Sequence, residues 1–388
     1  MNIGFIGLGY RAELAVRRFT YIKDVTIKAI CDIDPGKVKS TKDYLEKRKI
    51  KHFDIYSDYK HLLEDASIDT VYISTPWHTH SEIAVNAMKS GKHAAIEVPA
   101  AKTLNECFEL IKMSKQTNKQ CCILENCCFD DFTMASSNMV KDGLFGEIYH
   151  CEGAYIHRLC ERYIENNRDF KNNWMINEFI TQTGNIYPTH GFGPISKLLD
   201  LNNTDRVVSI NSISSSSNVY SQFVCEHFNE NVNFSLADIN TSILKTQKGK
   251  TIMLQLDMST PRPYSRKHIV CGTKGFFHKY PTEEIAFLPD YNHYICKEEK
   301  AKLLNDYRDP FYIKSVEAFS KVDDPELIRR GVMDFAMDLN LVEAINENRT
   351  FMLDVYDAAL WSSITELSQL SLKQNGAPID VPDFKNLF

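Results

Sequence analysis

A glycine turn between an apolar run and an amphipathic segment opens the sequence, and it constrains the fold more than any other feature. Residues 3–6 have the pattern of a buried strand, Gly7 and Gly9 follow, and Ala12 stands at the entry to a helix. The first glycine permits a tight turn, the second lets the backbone approach a pyrophosphate, and the small third residue lets the helix pack closely on the strand. Asp32 ends the next apolar run 20 residues after Ala12, where its carboxylate can accept both ribose hydroxyls and would repel a 2′-phosphate. The pattern predicts a dinucleotide site for NAD rather than NADP, and an ordinary tight turn followed by a solvated acid is the alternative.

Apolar runs alternate with helix-like segments through residue 125. The runs are residues 3–6, 25–30, 70–73, 94–98 and 121–124, and the segments between them include 35–48, 80–90 and 104–117. Strands that alternate with helices of this length predict βαβ units and a doubly wound parallel sheet.

After Asp130 the pattern changes to shorter apolar runs separated by loops rich in Gly and Asn. Runs at residues 148–156, 207–213, 232–244, 251–256, 268–271 and 275–277 predict a largely antiparallel sheet, and residues 134–142, 325–346 and 355–372 are predicted helices. The expected fold class is therefore α/β. It consists of an N-terminal Rossmann domain over residues 1–127 and a C-terminal α+β domain over residues 128–388, which binds substrate and could mediate oligomerisation.

The charge and cysteine content limit the partners and the cellular compartment that we expect for this protein. The 45 basic and 51 acidic residues give a net charge of −6 with no long basic run, so we expect no nucleic-acid partner. No apolar stretch reaches about 18 residues, and the opening residues read as strand and turn rather than as a secretory signal. The 11 cysteines include the adjacent pairs Cys121-Cys122 and Cys127-Cys128, which suit reduced, packed thiols. We therefore expect a cytoplasmic protein with no membrane partner and no metal.

The loop after the fourth strand carries the next candidate residues. Because parallel sheets bind ligands outside the carboxyl ends of their strands, this loop should face the cofactor with Thr75, Trp77, His78, Thr79 and His80. His78 and His80 could instead share a metal, although no third ligand stands at a recognisable spacing. Trp77 could also simply pack as a loop lid.

Glu97-Val98-Pro99 ends the fifth strand, and here the sequence resembles the glucose–fructose oxidoreductase and inositol dehydrogenase superfamily. Members typically have Glu-Lys-Pro at this point, and the lysine assists proton transfer during alcohol oxidation. Because Val98 stands in the place of the lysine, the resemblance implies a function other than simple sugar dehydrogenation.

Five further blocks of sequence carry a more specific resemblance. They are residues 124–128, 152–157, 184–194, 260–266 and 354–359, of which Tyr-Pro-Thr-His-Gly at 187–191 is the most distinctive. These blocks are similar to glycoside hydrolase family 109, which contains NAD-dependent α-N-acetylgalactosaminidases. The resemblance implies that NAD is held by Gly7, Gly9, Tyr10, Arg11, Asp32, Thr75, Trp77, His78, Thr79, His80, Glu97, Val98 and Asn126. It implies a sugar site of Tyr155, Tyr187, Pro188, Thr189, His190 and Tyr264, in which His190 and the three tyrosines are the catalytic groups. The alternative is that these aromatic residues only pack a sheet, with His190 as a satisfied core histidine.

The resemblance also implies a redox-assisted hydrolysis rather than the paired-carboxylate mechanism of most glycosidases. NAD⁺ takes a hydride from C3 of the sugar, a base removes the acidified C2 proton, the C1 substituent leaves, water adds at C1, and the hydride returns to C3. We assign His190 to the C3 hydroxyl and Tyr155 to the C2 proton, because histidine titrates near neutrality and the charge of NAD⁺ could stabilise a tyrosinate. Since the cycle has no net redox change, we expect NAD to be tightly bound and recycled.

Two other functions stay open at this point. One is an NAD-dependent sugar oxidoreductase, or a lyase or epimerase that stops partway through the same chemistry. The other is a catalytically idle NAD-binding sensor. The expected partners are a small glycoside and, by analogy of fold, a second copy of the chain in a homodimer.

The sequence departs from the family pattern at three places. The last glycine of the turn is Ala12, and Gly-Asp-Arg after a later helix becomes Thr204-Asp205-Arg206. The arginine that usually follows a tryptophan is Met175, next to Trp174. The last change predicts the loss of a charged substrate contact.

Overall fold

The computed structural model describes residues 1–165 and 169–387 and divides the chain into two compact units. Unit 1 consists of Met1–Met134 and Asp309–Ser362, and unit 2 consists of Ala135–Arg308 and Ser363–Leu387. The chain therefore forms most of unit 1, then most of unit 2. Residues 309–362 return to unit 1, and residues 363–387 return to unit 2. Contiguous domains at residues 1–127 and 128–388 stay a prediction.

Unit 1 contains a parallel sheet with the strand order β3-β2-β1-β4-β5-β6. Its strands are β1 (Asn2–Ile6), β2 (Thr26–Cys31), β3 (Asp54–Tyr56), β4 (Thr70–Ile73), β5 (His93–Glu97) and β6 (Cys121–Leu124). The helices that follow them are α1 (Tyr10–Phe19), α2 (Pro35–Lys47), α3 (Tyr59–Glu64), α4 (His80–Lys89) and α5 (Leu104–Thr117). The predicted doubly wound fold is confirmed. Because the order reverses between β1 and β4, β2 lies on one side of the glycine turn and β5 and β6 lie on the other.

Local sequence explains most of these elements. Strands β4 and β6 are buried along their whole length, which accounts for their uninterrupted apolar runs. Asp34, Asp58 and Thr103 each accept a backbone N–H at the start of α2, α3 and α5, and so cap these helices. The sequence patterns did not predict β3, which is only 3 residues long and largely exposed.

Unit 2 contains a second sheet, with the order β13-β12-β11-β7-β10-β9-β8-β14. Its strands are β7 (Ile148–Ile156), β8 (Val207–Ser214), β9 (Asn240–Thr246), β10 (Thr251–Asp257), β11 (Ser265–Gly272), β12 (Gly275–His278), β13 (Glu284–Phe287) and β14 (Ile379–Asp380). The helices of this part of the chain are α6 (Asp131–Lys141), α7 (Trp174–Thr181), α8 (Thr189–Leu198), α9 (Val219–Phe228) and α10 (Lys297–Asp306). Strand β10 pairs with β7 in parallel, and the other described pairs are antiparallel. The predicted α+β character is confirmed.

The prediction of a strand over residues 232–244 is wrong in its first half. Strand β9 begins only at Asn240, and the preceding residues form a coil whose polar groups are satisfied differently. Ser235 and Leu236 donate backbone N–H groups to the carbonyls of Ile180 and Phe179. The carboxylate of Asp238 accepts from the backbone of residues 218 and 219, at the start of α9.

The returning segment adds α11 (Pro310–Phe319), α12 (Pro325–Arg330) and α13 (Val332–Asn346) to unit 1, and α14 (Val355–Lys373) follows. The prediction of one helix over residues 325–346 is wrong, because Gly331 has φ +81° and ψ −168° and separates two helices. Only glycine adopts this backbone conformation readily. The break places Asp334 in the first turn of α13, which packs against α1, α11 and the short helical turn Asn126–Phe129.

Within the described residues, no helix is both long enough and apolar enough to cross a bilayer. Cys121 and Cys122 are buried thiols of β6, and burial raises the pKa of Cys121 to about 12. A thiol of this kind is unreactive at neutral pH.

Candidate active site

The glycine turn of unit 1 is built as a dinucleotide turn requires. Gly7 has φ +83°, and a Cβ at this position would meet the Ser74 carbonyl oxygen at 2.6 Å. Gly9 is the N-cap of α1, and a Cβ there would meet nothing within 4 Å. The space beside the first turn of α1 is therefore open to a ligand. Backbone N–H groups and the helix dipole favour a phosphate at such a helix start.

Asp32 directly follows the carboxyl end of β2, where the sequence predicts a contact with the ribose of NAD. Its Oδ2 accepts the Leu8 backbone N–H at 2.6 Å, and its Oδ1 accepts the Asp34 N–H at 2.8 Å. Each carboxylate oxygen has a second lone pair, so both can still accept a hydroxyl. The residue is thus held in one orientation by the loops on either side. Together with the open face of Gly9, this arrangement fits the ribose and pyrophosphate of NAD.

The loop after β4 forms a short helical turn over Trp77–Thr79. Trp77 is buried and His78 is exposed, while the Thr79 hydroxyl lies 2.7 Å from Thr75 Oγ1. His80 is buried, with Nδ1 at 2.8 Å from the Pro99 carbonyl and Nε2 at 2.8 Å from the Thr75 carbonyl. Burial lowers the pKa of His80, and the two carbonyls oppose that shift.

These contacts limit what His80 can do. Both ring nitrogens already face carbonyl oxygens, so the His78–His80 pair offers no preformed metal site. His80 joins the loop after β4 to the loop after β5, and a direct bond from its ring to a cofactor would have to displace one of these carbonyls. Its predicted cofactor role is therefore best understood as holding the two loops together.

The ends of β5 and β6 carry Glu97, Val98 and Asn126. Glu97 accepts from the Tyr72 hydroxyl at 2.9 Å and from Arg11 Nε at 3.3 Å. Burial, followed by the charge of Glu97, raises the pKa of Tyr72 well above its usual value, so this phenol stays protonated. Val98 is 4% exposed. Asn126 donates its side-chain amide to Asp334 Oδ1 at 2.6 Å.

Tyr10, the remaining predicted cofactor residue of unit 1, begins α1 and is 46% exposed. The Arg330 Nη2 atom donates to its hydroxyl at 2.6 Å. The structure thus brings α12 and α13 to the cofactor residues, which no sequence motif indicated.

Unit 2 gathers three of the predicted sugar-site residues into one cluster. The ring centroids of Tyr155 and Tyr187 are 4.9 Å apart, those of Tyr155 and His190 are 5.1 Å apart, and those of Tyr187 and His190 are 4.9 Å apart. Tyr155 lies on β7, and His190 lies in the first turn of α8.

Two glycines explain how β7 and α8 come this close. A Cβ at Gly153 would meet the Gly191 carbonyl oxygen at 2.2 Å, and a Cβ at Gly191 would meet the Ala154 backbone nitrogen at 2.5 Å. Any side chain at either position would push the helix away from the strand. The glycines therefore set the distance between the rings of Tyr155 and His190, which neighbour them in sequence.

His157 belongs to the same cluster, and the sequence analysis did not name it as a site residue. Its Nδ1 lies 2.9 Å from the Tyr155 hydroxyl, and its ring packs edge-on against Tyr264 at a centroid distance of 5.0 Å. The signal was available, because residues two apart on a strand point to the same face. Burial, followed by the charges of Arg162, Arg266 and His190, lowers the pKa of His157 to about 4.

The electrostatics fix the resting state of Tyr155. Burial raises its pKa well above the usual value, with Tyr264 and Tyr163 adding to the effect and Arg266 and Arg162 opposing it. At neutral pH the phenol is therefore protonated and His157 is neutral, and the tautomer with its hydrogen on Nε2 lets Nδ1 accept from the Tyr155 hydroxyl. Both shifts oppose transfer of a proton from the phenol to the imidazole, so the two groups rest as a neutral hydrogen-bonded pair.

The other predicted sugar-site residues lie at different depths. Tyr264 is 41% exposed and its hydroxyl accepts from Arg266 Nε. Pro188 and Thr189 are buried at the start of α8. Thr189 is fully buried, and its Oγ1 has no hydrogen-bond partner among the described residues.

The departures from the family pattern have local explanations. Met175 is 9% exposed in the first turn of α7 and packs as a core residue. Asp205, next to Thr204, accepts from the Thr246 hydroxyl at 2.8 Å and from the Lys248 backbone at 3.1 Å. This second departure therefore lies in the turn before β8, which hydrogen-bonds to the β9–β10 hairpin.

Comparison with known proteins agrees with this geometry. Residues 1–125 match the family described as oxidoreductase, NAD-binding Rossmann fold, and residues 129–387 match the C-terminal domain of glycosyl hydrolase 109. The chain is 39% identical to an alpha-N-acetylgalactosaminidase of Bacteroides fragilis, over 99% of this chain and 92% of that protein. It is 36% identical to glycosyl hydrolase family 109 protein 2 of Phocaeicola vulgatus, over 99% and 94% of the two chains.

Among solved structures, a levoglucosan dehydrogenase in complex with NADH and L-sorbose superposes with a TM-score of 0.75. The sequence identity is 17%, and the match covers 99% of this chain and all of the other, which shows a shared fold. The family matches and the full-length relatives go further. The chain belongs to glycoside hydrolase family 109, and its N-terminal part is an NAD-binding Rossmann fold.

Proposed function

We propose that this protein is an NAD-dependent retaining glycosidase that cleaves α-N-acetylgalactosaminides and related sugars, with tightly bound NAD that is regenerated in each cycle. The observation that carries the proposal is the ring cluster of Tyr155, Tyr187 and His190 on unit 2. It offers one imidazole and two phenols in a family whose members include an alpha-N-acetylgalactosaminidase. These are the groups that a sequence of proton transfers at adjacent sugar carbons needs.

Unit 1 would hold the cofactor. The open face at Gly9 would take the pyrophosphate, and Asp32 would accept the ribose hydroxyls. Glu97 and Asn126, on the other side of the sheet reversal, would lie along the nicotinamide half. When bound, NAD⁺ supplies a reversible acceptor for the hydride on C3 of the sugar.

Unit 2 would handle the protons. We assign His190 to the C3 hydroxyl, whose proton must leave as the carbon is oxidised. We assign Tyr155 to the C2 proton, which becomes acidic next to the C3 ketone. Tyr155 must first lose its own proton, and we assign the acceptor role to His157 Nδ1, which lies 2.9 Å from the hydroxyl and can take the proton in its Nε2–H tautomer.

Val98 supports the choice of hydrolysis over dehydrogenation. A valine with 4% exposure offers no proton where the oxidoreductase superfamily typically has a lysine. Loss of that group handicaps simple alcohol oxidation and leaves the groups of unit 2 intact.

The test is a screen of nitrophenyl glycosides, starting with the α-N-acetylgalactosaminide, with aglycone release and NADH absorbance recorded together. The proposal expects aglycone release without net NADH and a released sugar that keeps its anomeric configuration. Net NADH without aglycone would make the protein a sugar oxidoreductase. Bound cofactor with no turnover of any glycoside would make it a sensor.

The mechanism has a separate test in heavy water. Elimination removes the C2 proton, whereas direct displacement at C1 leaves it in place. The released sugar should therefore carry deuterium at C2, and His190→Ala should abolish both hydride transfer and exchange while NAD stays bound. His293→Ala is a suitable control because His293 is exposed and pairs with Asp290 outside the cluster. Hydrolysis with full retention of the C2 proton would refute the mechanism.

A further inference from the structure

We infer that Asp334, on α13, is a positioning residue that aligns the nicotinamide half of the NAD site in unit 1. The inference rests on the proposed cofactor roles of Arg11, Glu97 and Asn126, and it adds a residue that lies more than 200 positions from each of them.

The contacts of Asp334 converge from three elements. Asn126 Nδ2 donates to Oδ1 at 2.6 Å, and Arg11 Nη2 lies 3.4 Å from the same oxygen. Arg11 Nε in turn reaches Glu97 Oε1 at 3.3 Å. One carboxylate therefore links the start of α1, the end of β5 and the turn after β6. Predicted cofactor residues stand at each of these three places.

Asp334 also connects to Tyr10 through a cation. Arg330 Nη1 lies 3.6 Å from Asp334 Oδ2, and Arg330 Nη2 donates to the Tyr10 hydroxyl at 2.6 Å. The guanidinium carbon of Arg330 stands 5.1 Å from the centroid of the Tyr10 ring. Asp334 thus contacts Asn126 and Arg11 directly. It reaches Glu97 through Arg11, and Tyr10 through Arg330.

The charge of Asp334 is secured by its surroundings. The side chain is 5% exposed, and burial disfavours its charge, but Arg11, Arg18, Asn126 and Arg330 hold the pKa of Asp334 well below its usual range. The residue is therefore an anion at any working pH. Without this carboxylate, the guanidinium groups of Arg11, Arg18 and Arg330 would have less negative charge beside them. Their positive charge would then disfavour binding of the positively charged NAD⁺ ring more than binding of the neutral NADH ring.

The contact with Asn126 also fixes an amide. An anionic carboxylate accepts only from the –NH₂ end, so Asp334 determines that Oδ1 is the end of the Asn126 amide turned away from α13. The Cys127 thiol donates to this oxygen at 3.3 Å and leaves its second lone pair open. Asn126 therefore presents an acceptor, which suits a ribose hydroxyl or a carboxamide N–H of the cofactor.

The experiment compares Asp334→Asn with Asp338→Asn, a matched change one helical turn further along α13. Among the described residues, Asp338 bonds Arg18, with Oδ2 at 2.5 Å from Arg18 Nε, and none of the predicted cofactor residues. Arg18 is 3.8 Å from Asp334, so both variants take a carboxylate from the same buried cation. Burial raises the pKa of Asp338 to about 7, against the opposing charge of Arg18. The comparison is therefore made at about pH 8.5, where both groups are ionised.

Two measurements separate positioning from simple support: the dissociation constants of NAD⁺ and NADH by calorimetry, and the midpoint of thermal unfolding. Asp334→Asn should weaken NAD⁺ by about tenfold, the loss expected for one charge-assisted hydrogen bond, and NADH by less. Asp338→Asn should leave both affinities within about twofold and should lower the unfolding midpoint more, because it breaks the shorter bond to Arg18. The two variants should therefore rank in opposite orders for affinity and for stability.

The same rank order in both measurements would overturn the inference, because a merely structural carboxylate loses affinity in step with stability. Should Asp338→Asn fail to fold, a cycle of Asp334→Asn, Asn126→Ala and the double variant decides instead. Coupled effects on NAD⁺ affinity support positioning through Asn126, and additive effects refute it. Wild-type protein that binds no NAD(H) would count against the proposed function, whereas wild-type binding with equal variants would count against Asp334 alone.

Discussion

Lowering the pH should destabilise the protein through His157, and His157→Gln should remove that part of the loss. The pKa of His157 falls from 6.5 to about 4 because of burial first and then the charges of Arg162, Arg266 and His190. The unfolded chain therefore binds a proton more readily than the folded protein between these two values. The stability of the folded state is complete above about pH 6.5 and declines as the pH falls toward about 4.

The magnitude follows from the same two values. For a group with pKa 6.5 in the unfolded chain and about 4 in the folded protein, linkage predicts a loss of about 2.5 kcal/mol in the free energy of unfolding between about pH 7.5 and about pH 4.5. His157 is only partly buried, so solvent screens the charges that lower its pKa. We therefore expect His157 to account for about 1 kcal/mol of the loss in the free energy of unfolding.

Urea unfolding of the wild type and of His157→Gln, each at the two pH values, measures this contribution. His93 in unit 1 should cause a further loss in both proteins, since burial lowers its pKa to about 4 and its Nδ1 accepts the Gln120 N–H at 2.9 Å. The variant should therefore lose about 1 kcal/mol less than the wild type on acidification. His293→Gln, an exposed substitution, should behave like the wild type. Equal losses in His157→Gln and wild type would refute the reasoning.

Three further predictions concern the two halves of the chemistry. Asp32→Ala should weaken the affinity for NAD by about tenfold or more, because charge-assisted hydrogen bonds of roughly 1.5–3 kcal/mol are lost. Calorimetry measures this affinity, and an unchanged value would contradict the assignment of Asp32 to the ribose. Val98→Lys should not increase aglycone release from nitrophenyl glycosides, since an added cation serves no step assigned to unit 2, and clearly faster cleavage would show that lysine was needed. Gly153→Ala should lower the free energy of unfolding by about 1–3 kcal/mol and slow glycoside cleavage, because its Cβ would meet the Gly191 carbonyl at 2.2 Å; urea unfolding that matches the wild type would show that α8 can shift freely.

The features that could be predicted from the sequence are those fixed by a short stretch of backbone. Gly7 must take a positive φ beside Ser74, and Gly9 must leave the start of α1 open, so their spacing alone indicates the turn. The parallel sheet follows from apolar runs that are buried on both faces. The Tyr-Pro-Thr-His block was identified by resemblance, and the packing of Gly153 on Gly191 explains why its histidine lies beside Tyr155.

The features that the sequence did not reveal depend on contacts between distant residues. Asp334 and Asn126 are 208 positions apart, and nothing in the sequence of α13 distinguishes an acid that faces the turn after β6 from one that faces solvent. The false strand at 232–239 has the alternation of a strand, but its backbone bonds to the end of α7 instead of to a neighbouring strand. The break at Gly331 was visible as a glycine, yet a single glycine inside a helical pattern is often tolerated.

Val98, which stands where the oxidoreductase superfamily typically has a lysine, bears on which unit supplies the acid and base for the proposed reaction. At the end of β5, Glu97 is committed to Tyr72 and to Arg11, and the phenol of Tyr72 is held protonated by burial. Valine in the place of lysine leaves position 98 without a side chain that can donate or accept a proton. Unit 1 is thereby suited to bind a cofactor of fixed charge, and we infer that the proton transfers belong to the imidazole and phenol groups of unit 2. An oxidation that is reversed within the same turnover leaves the hydride on the bound cofactor between its two transfers, so a binding unit that adds no proton donor at position 98 is compatible with the proposed cycle.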